Sequence, residues 1–119
     1  MFTNPLQLTY NAVAKNLEKI NQDGYSSEYY LDDAGNLLRF HAKIAHTIPK
    51  TGKVGESHLF RVDVEKLDSD GVLIRKDSVW LSARTDIGNQ STTDLQYLAE
   101  ALVGILTTAN ITKLLTRQS

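Results

Sequence analysis

Residues 91–115 read STTDLQYLAEALVGILTTANITKLL, and this stretch decides what kind of fold the chain can adopt. Ser91 is a good N-cap, and Asp94 stands three residues on, where it can complete a capping box. Leu95, Leu98, Ala99, Leu102, Leu106 and Ala109 then recur at helical spacing. Tyr97, Ala101, Val103 and Ile105 widen the stripe, leaving a narrow polar strip of Gln96, Glu100 and Thr107. A helix this apolar is normally covered on two sides. Asn110 suits a left-handed C-cap, after which a second helix over Ile111–Arg117 presents Ile111, Leu114 and Leu115. Gly104 costs about 1 kcal/mol against Ala inside a helix, which close backbone approach by another element would explain. A core helix lying on its own sheet and a helix shared between two subunits both satisfy this pattern.

Upstream of this stretch the period changes from helical to two. Leu6, Leu8 and Tyr10 alternate with Gln7 and Thr9, as in a strand, and Asn11 can start a turn. Val13 to Ile20 fits either a returning strand or a helix, since Val13, Leu17 and Ile20 also match helical spacing. Asn21-Gln22-Asp23-Gly24 breaks the chain. Tyr29 and Leu31 then oppose Glu28, Tyr30 and Asp32, and Asp33-Ala34-Gly35-Asn36 turns the chain. In Leu37–Ile48, Leu38, Phe40, Ala42 and Ile44 alternate with Arg39, His41, Lys43 and Ala45. Residues 49–55, PKTGKVG, form a loop. In His58–Leu67, Phe60, Val62 and Val64 oppose Arg61, Asp63 and Glu65. Asp68-Ser69-Asp70-Gly71 is a hairpin loop whose glycine suits a positive φ. Val72–Arg84 completes the set, with Val79, Leu81 and Ala83 opposing Ser78, Trp80, Ser82 and Arg84.

The expected fold is therefore α+β: an N-terminal β-hairpin, a four-stranded antiparallel meander and two C-terminal helices. At 119 residues this is one domain, spanning 1–119. A hydrophobic share of 41% and a charged share of 23% place the chain among globular proteins. No apolar run is long enough to span a bilayer, so no membrane partner is expected. The N-terminus lacks the basic start and apolar segment of a signal peptide. The two glycosylation patterns, at Asn89 and Asn110, are accordingly read as helix-boundary residues. No cysteine is present, which excludes disulfides and thiolate metal sites. A net charge of −1 means that any nucleic-acid site must be a local concentration of cations.

Two helices are a modest cover for so wide a sheet, while the longer helix is apolar around most of its circumference. Both excesses vanish if two chains join sheet edge to sheet edge with interlocked helices, so an obligate dimer is expected.

Enzymatic motifs are missing. Gly52-Lys53 lacks the rest of a P-loop, and no nucleophile or general-base motif appears. His41, His46 and His58 match no metal spacing, and an odd interval puts His41 and His46 on opposite strand faces. Asp32-Asp33, Asp68 and Asp70 fall at turns, which explains them. Neither a cofactor nor a small-molecule substrate is expected.

The polar face of the meander is more informative. Arg39, His41 and Lys43 share one side of a strand, Arg61 a neighbour, and Ser78, Trp80, Ser82 and Arg84 the last strand. Cations for phosphates, hydroxyls for base edges and one large aromatic for stacking are what a nucleic-acid surface needs. A solvated face with Trp80 covering an edge of the core fits the same residues. Glu28, Asp32, Asp63 and Glu65 share the face and weaken its positive field.

With these residues in view, the chain resembles the coat proteins of the single-stranded RNA bacteriophages, the levivirus-like family. The resemblance is carried by LLRFHAKIA, SHLFRVDVEKLD, and SVWLSAR leading through TDIGNQSTTD into LQYLAEALVGIL and ITKLL. It implies an intertwined dimer in which the helices of one subunit pack over the sheet of the other. Here that interface falls on Leu95, Leu98, Leu102, Val103, Leu106 and Leu114. It implies assembly into a small icosahedral capsid in the host cytoplasm, with genomic RNA stem-loops on the inward sheet face and a role as translational repressor. The RNA-contacting positions then fall on Arg39, His41, Lys43, Arg61, Ser78, Trp80, Ser82 and Arg84. Asp63 and Glu65 stand where lysine or neutral polar residues are common in relatives, and the Asp68–Gly71 loop corresponds to the one lining the symmetry axes. The resemblance also tips Val13–Ile20 towards a strand. The alternative is a small dimeric α+β module that binds RNA or a protein without forming a shell.

Overall fold

The fold was analysed on a computed structural model, which describes residues 2–49, 55–86 and 89–118. The chain divides into two compact units, residues 1–87 and 88–119.

The first unit is an antiparallel sheet in which six strands follow one another in chain order. They are β1 (Leu6–Tyr10), β2 (Val13–Asp23), β3 (Ser26–Asp33), β4 (Leu38–Thr47), β5 (Glu56–Leu67) and β6 (Leu73–Thr85). The ambiguous segment after Asn11 is a strand, because Asn11 and Ala12 both take positive φ and close a two-residue turn. The break expected at Asn21 comes later. β2 absorbs an irregularity between Lys19 and Asn21 and turns only at Gly24-Tyr25. Its first half pairs with β1 and its second half with β3, so the hairpin is continuous with the meander. Gly71 has the positive φ anticipated for the hairpin loop, at 81°. Asp68 caps that loop, its Oδ1 accepting from the amides of Asp70 and Val72, each at 2.9 Å. Of the loop expected at 49–55, residues 50–54, including Gly52-Lys53, lie outside the described residues.

The register confirms both sheet faces. Phe40 stands opposite Leu31 and Val64, Ala42 opposite Tyr29 and Val62, and Ile44 opposite Phe60. The two C-terminal helices are not the cover of this apolar face, which is covered by the N-terminal hairpin itself. Leu6 and Leu17 are buried in one cluster with Tyr29, Phe40, Ala42 and Ile44. Tyr10 meets Phe40 edge-on at 5.2 Å, and Phe2 meets Phe60 at 6.2 Å. Fully burying a side chain such as Leu17 or Phe40 is worth about 1.5–3 kcal/mol. An ion pair pins the hairpin at its rim, where Lys15 Nζ donates to Asp33 Oδ2. Asp33 therefore does more than form a turn. Hydrogen bonds from Lys15 and then Asn36 hold its carboxyl below the usual aspartate value.

The second unit contains α1 (Thr92–Gly104) and α2 (Thr108–Leu115), which are bent 71° from one another. Ser91 caps α1 as expected, accepting from the Asp94 amide at 3.2 Å. Two expectations are corrected. The long helix ends at Gly104, not Ala109, and α2 begins at Thr108, with Thr107 as its N-cap. Asn110 is not a C-cap. It lies in the first turn of α2, its amide donates to Thr107 Oγ1, and its side chain donates to the Ile105 carbonyl at 2.7 Å. That local polar network competes with helix continuation and sets the break. Gly104 needs no close neighbour either, since a Cβ there would meet nothing within 4 Å. A helix terminus tolerates glycine without one.

Candidate coat and RNA interface

The eight residues singled out for RNA contact stand on one sheet face. In β4–β5 pairing, Arg39 faces Glu65, His41 faces Asp63 and Lys43 faces Arg61. In β5–β6 pairing, Arg61 faces Trp80, Asp63 faces Ser78, and Leu59 and Ser57 face Ser82 and Arg84. Two more residues belong here that sequence reasoning left out. Tyr30 faces His41, and Lys76 faces Glu65. The signal for both was present, because each continues an alternation already recognised.

The face divides electrostatically. On one side Arg39 stands between Asp32 and Glu65, and Glu65 also faces Lys76. The centre is an acid-rich knot. His41 lies 3.6 Å from Glu28 and 3.7 Å from Asp63. Asp63 is only 6% exposed and accepts from Arg61 Nε at 3.0 Å. Burial pushes its carboxyl up, but hydrogen bonds from Ser78 and Arg61 outweigh that and hold it below the usual value. The Ser78 hydroxyl is thereby engaged within the protein.

On the other side, Lys43 and Arg61 are like charges placed directly opposite one another; Asp63 already answers Arg61, and Lys43 stands between Arg61 and Glu28. Arg61 lies 5.5 Å from the Trp80 ring, a cation–π contact. Trp80 is 59% exposed, so its indole is open for stacking and does not cover a core edge. Ser82 and Arg84 extend this corner. The Arg84 guanidinium packs where a Cβ on Gly55 would fall, 3.0 Å away, and Gly55 has a φ of +91°. A side chain at Gly55 would therefore displace the cation.

The positions assigned to an intersubunit interface are uncovered. No residue of α1 or α2 is buried, and Leu98 is 68% exposed. Leu102, Val103, Leu106 and Leu114 are exposed as well, and Leu95 is half-buried. The apolar side of β6 is also open, with Val79 68% exposed. Among the described residues no group of three His, Asp or Glu side chains is arranged to hold a metal ion.

A chain-order antiparallel sheet with a folded-over N-terminal hairpin and two apolar C-terminal helices defines the coat-protein class of small RNA phages. The family described as the coat protein of phage phiCb5 matches residues 3–86, and the chain belongs to that family. It is a capsid protein, structural and not catalytic. Among solved structures it is similar to the virus-like particle of Beihai levi-like virus 21, with a TM-score of 0.73 and 12% identity, covering 98% of this chain and 94% of that one. It is also similar to the bacteriophage EMS014 coat protein, with a TM-score of 0.63 and 16% identity, covering 89% and 73%. The virus-like particle of bacteriophage AVE019 gives a TM-score of 0.57 and 14% identity over 89% and 87%. No curated protein matches the sequence. Family membership sets aside the regulatory module that forms no shell.

Proposed function

We propose that this coat protein works as a dimer that builds an icosahedral shell and holds genomic RNA on the polar sheet face. Both units then act as one coat-protein domain that a second copy completes. The observation that carries the dimer is a double deficit. Val79 on the apolar side of β6 and the helix residues Tyr97, Leu98, Leu102, Val103, Leu106 and Leu114 are exposed, and Leu81 and Ala83 are only half-buried. Exposed apolar area of this kind marks an interface. β6 is also a 13-residue edge strand with one unpaired side. Two copies related by a two-fold axis can pair β6 with β6 and lay each chain's helices on the other's sheet. Light scattering of the purified chain should give a dimer or a particle. A folded chain that stays monomeric at every concentration would reject the proposal.

The RNA reading rests on the Lys43–Arg61–Trp80–Ser82–Arg84 corner, where a phosphate can approach Lys43 and Arg84 and a base can stack on the indole. The paired acids elsewhere on the face limit how many phosphates it neutralises, so the salt dependence should correspond to only a few contacts. Trp80→Ala should cost about 1–3 kcal/mol of RNA binding by loss of stacking. Filter binding on dimers of unchanged mass checks this, and unchanged affinity would reject the face assignment. A stem-loop held there is withheld from ribosomes, which supports a translational repressor role. Assembly would take place where the RNA is made, in the host cytoplasm.

A further inference from the structure

The chain contains two Asp-Gly steps, Asp23-Gly24 and Asp70-Gly71, both at exposed hairpin turns. Asp-Gly is the dipeptide in which a backbone amide nitrogen most easily reaches the preceding carboxyl, because glycine brings no Cβ to obstruct it. The two turns hold their amides differently. The Gly24 N–H donates to Asp23 Oδ1 at 2.6 Å, so the nitrogen is already held against its own neighbour's carboxyl group. A Cβ on Gly24 would meet nothing within 4 Å, so the approach is open. Gly71 N instead donates to the Asp68 carbonyl at 3.0 Å, and the Asp70 amide is tied to Asp68 Oδ1 at 2.9 Å. That loop directs its amide away from the Asp70 side chain.

We infer that Asp23 is a site of spontaneous aspartate isomerisation in the folded protein, and that Asp70 is protected from it. The Gly24 amide nitrogen attacks Asp23 Cγ and forms a five-membered succinimide. The amide proton and one carboxyl oxygen, in its acid form, leave together as water. Water then adds back at either ring carbonyl. Opening at the α-carbonyl leaves isoaspartate, with the chain running through the side-chain carbon, and opening at Cγ restores aspartate. No other reactant is needed, and the net change is rearrangement without change of mass. The structure holds the attacking nitrogen against the carboxyl group, the proximity on which such intramolecular reactions depend.

The product lengthens the backbone of a two-residue loop by one methylene. Tyr25 in that loop accepts from the His46 amide at 2.8 Å, continuing the β3–β4 ladder. Isomerisation should loosen this end of the sheet.

The test is to incubate the purified full-length protein at neutral pH in ¹⁸O-water, then digest it and map both peptides by mass spectrometry with electron-transfer fragmentation. Each passage through a succinimide introduces one ¹⁸O atom. The Gly71 amide must leave an acceptor outside the reacting pair, whereas the Gly24 amide's acceptor is the carboxyl it attacks, so Asp23 should label and form isoaspartate about tenfold faster than Asp70. In denaturant the two peptides should react at similar rates, which assigns the difference to the fold. Equal rates in the folded protein, faster reaction at Asp70, or an unlabelled Asp23 would overturn the inference. Asp23→Glu, which would need a six-membered ring, should abolish labelling at that position.

Discussion

Strands β4 and β6 carry the same alternation and meet opposite fates. In β4, Phe40, Ala42 and Ile44 are buried. In β6, Val79 occupies the equivalent apolar face and lies open, while Leu81 and Ala83 are only half-covered. Nothing in the local pattern separates them. The difference is what lies above: the hairpin of β1 and β2 spreads over β3 and β4, reaches Phe60 on β5 through Phe2, and stops there. Period-two alternation specifies which side of a strand is apolar, whereas burial depends on an element placed elsewhere in the chain, or in another chain.

Substitutions can break this contrast. Phe40→Ala should have the largest effect, costing about 3–5 kcal/mol of unfolding free energy at every protein concentration, as measured by denaturant titration. Leu98→Asp or Leu102→Asp should weaken association by about 3–5 kcal/mol, the cost of burying an unpaired charge. Sedimentation would then show monomers for a chain whose far-ultraviolet circular dichroism is unchanged. A wild-type mass distribution for both variants would mean that the exposed helix surface is not an interface. Val79→Ala is subtler. In the associated protein it should cost about 1.5 kcal/mol, at about 0.8 kcal/mol per buried methylene-sized group. In dissociated chains the cost should disappear, so its dependence on concentration reports whether β6 acquires a cover.

Asp33 on the hairpin side and Asp63 on the polar face both have carboxyls held below the ordinary aspartate value of 3.8. Their native forms bind fewer protons than the unfolded chain around that value. The stability they contribute is therefore present above pH 3.8 and lost as pH falls through their lower native values. Unfolding titrations should show stability declining below about pH 4, with a smaller decline in Asp63→Asn. An unchanged slope in that variant would remove Asp63 from the account.

Much of this molecule was legible in its residues. Alternation located the strands other than β2, assigned Arg39, His41, Lys43, Arg61, Trp80, Ser82 and Arg84 to one face, and placed the turn glycine at Gly71. Ser91 marked the start of α1. These features depend on neighbours within a few residues, where stereochemistry and side-chain period act directly. The helix break at Ile105 to Thr107 was misplaced because it depends on the side chain of Asn110 reaching back to a carbonyl, a preference that spacing does not reveal. The cover over β4 was missed because Leu6 and Leu17 are far in sequence from Phe40, and only a hairpin folding back as a body brings them together. The charge knot around Asp63 was likewise decided by cross-strand register, which places Arg61, His41 and Ser78 around one carboxylate. The sequence by itself determined the period, polarity and order of the elements. Only the packing of distant segments settled which apolar faces were hidden and which remained exposed, because burial belongs to pairs of surfaces and not to single segments.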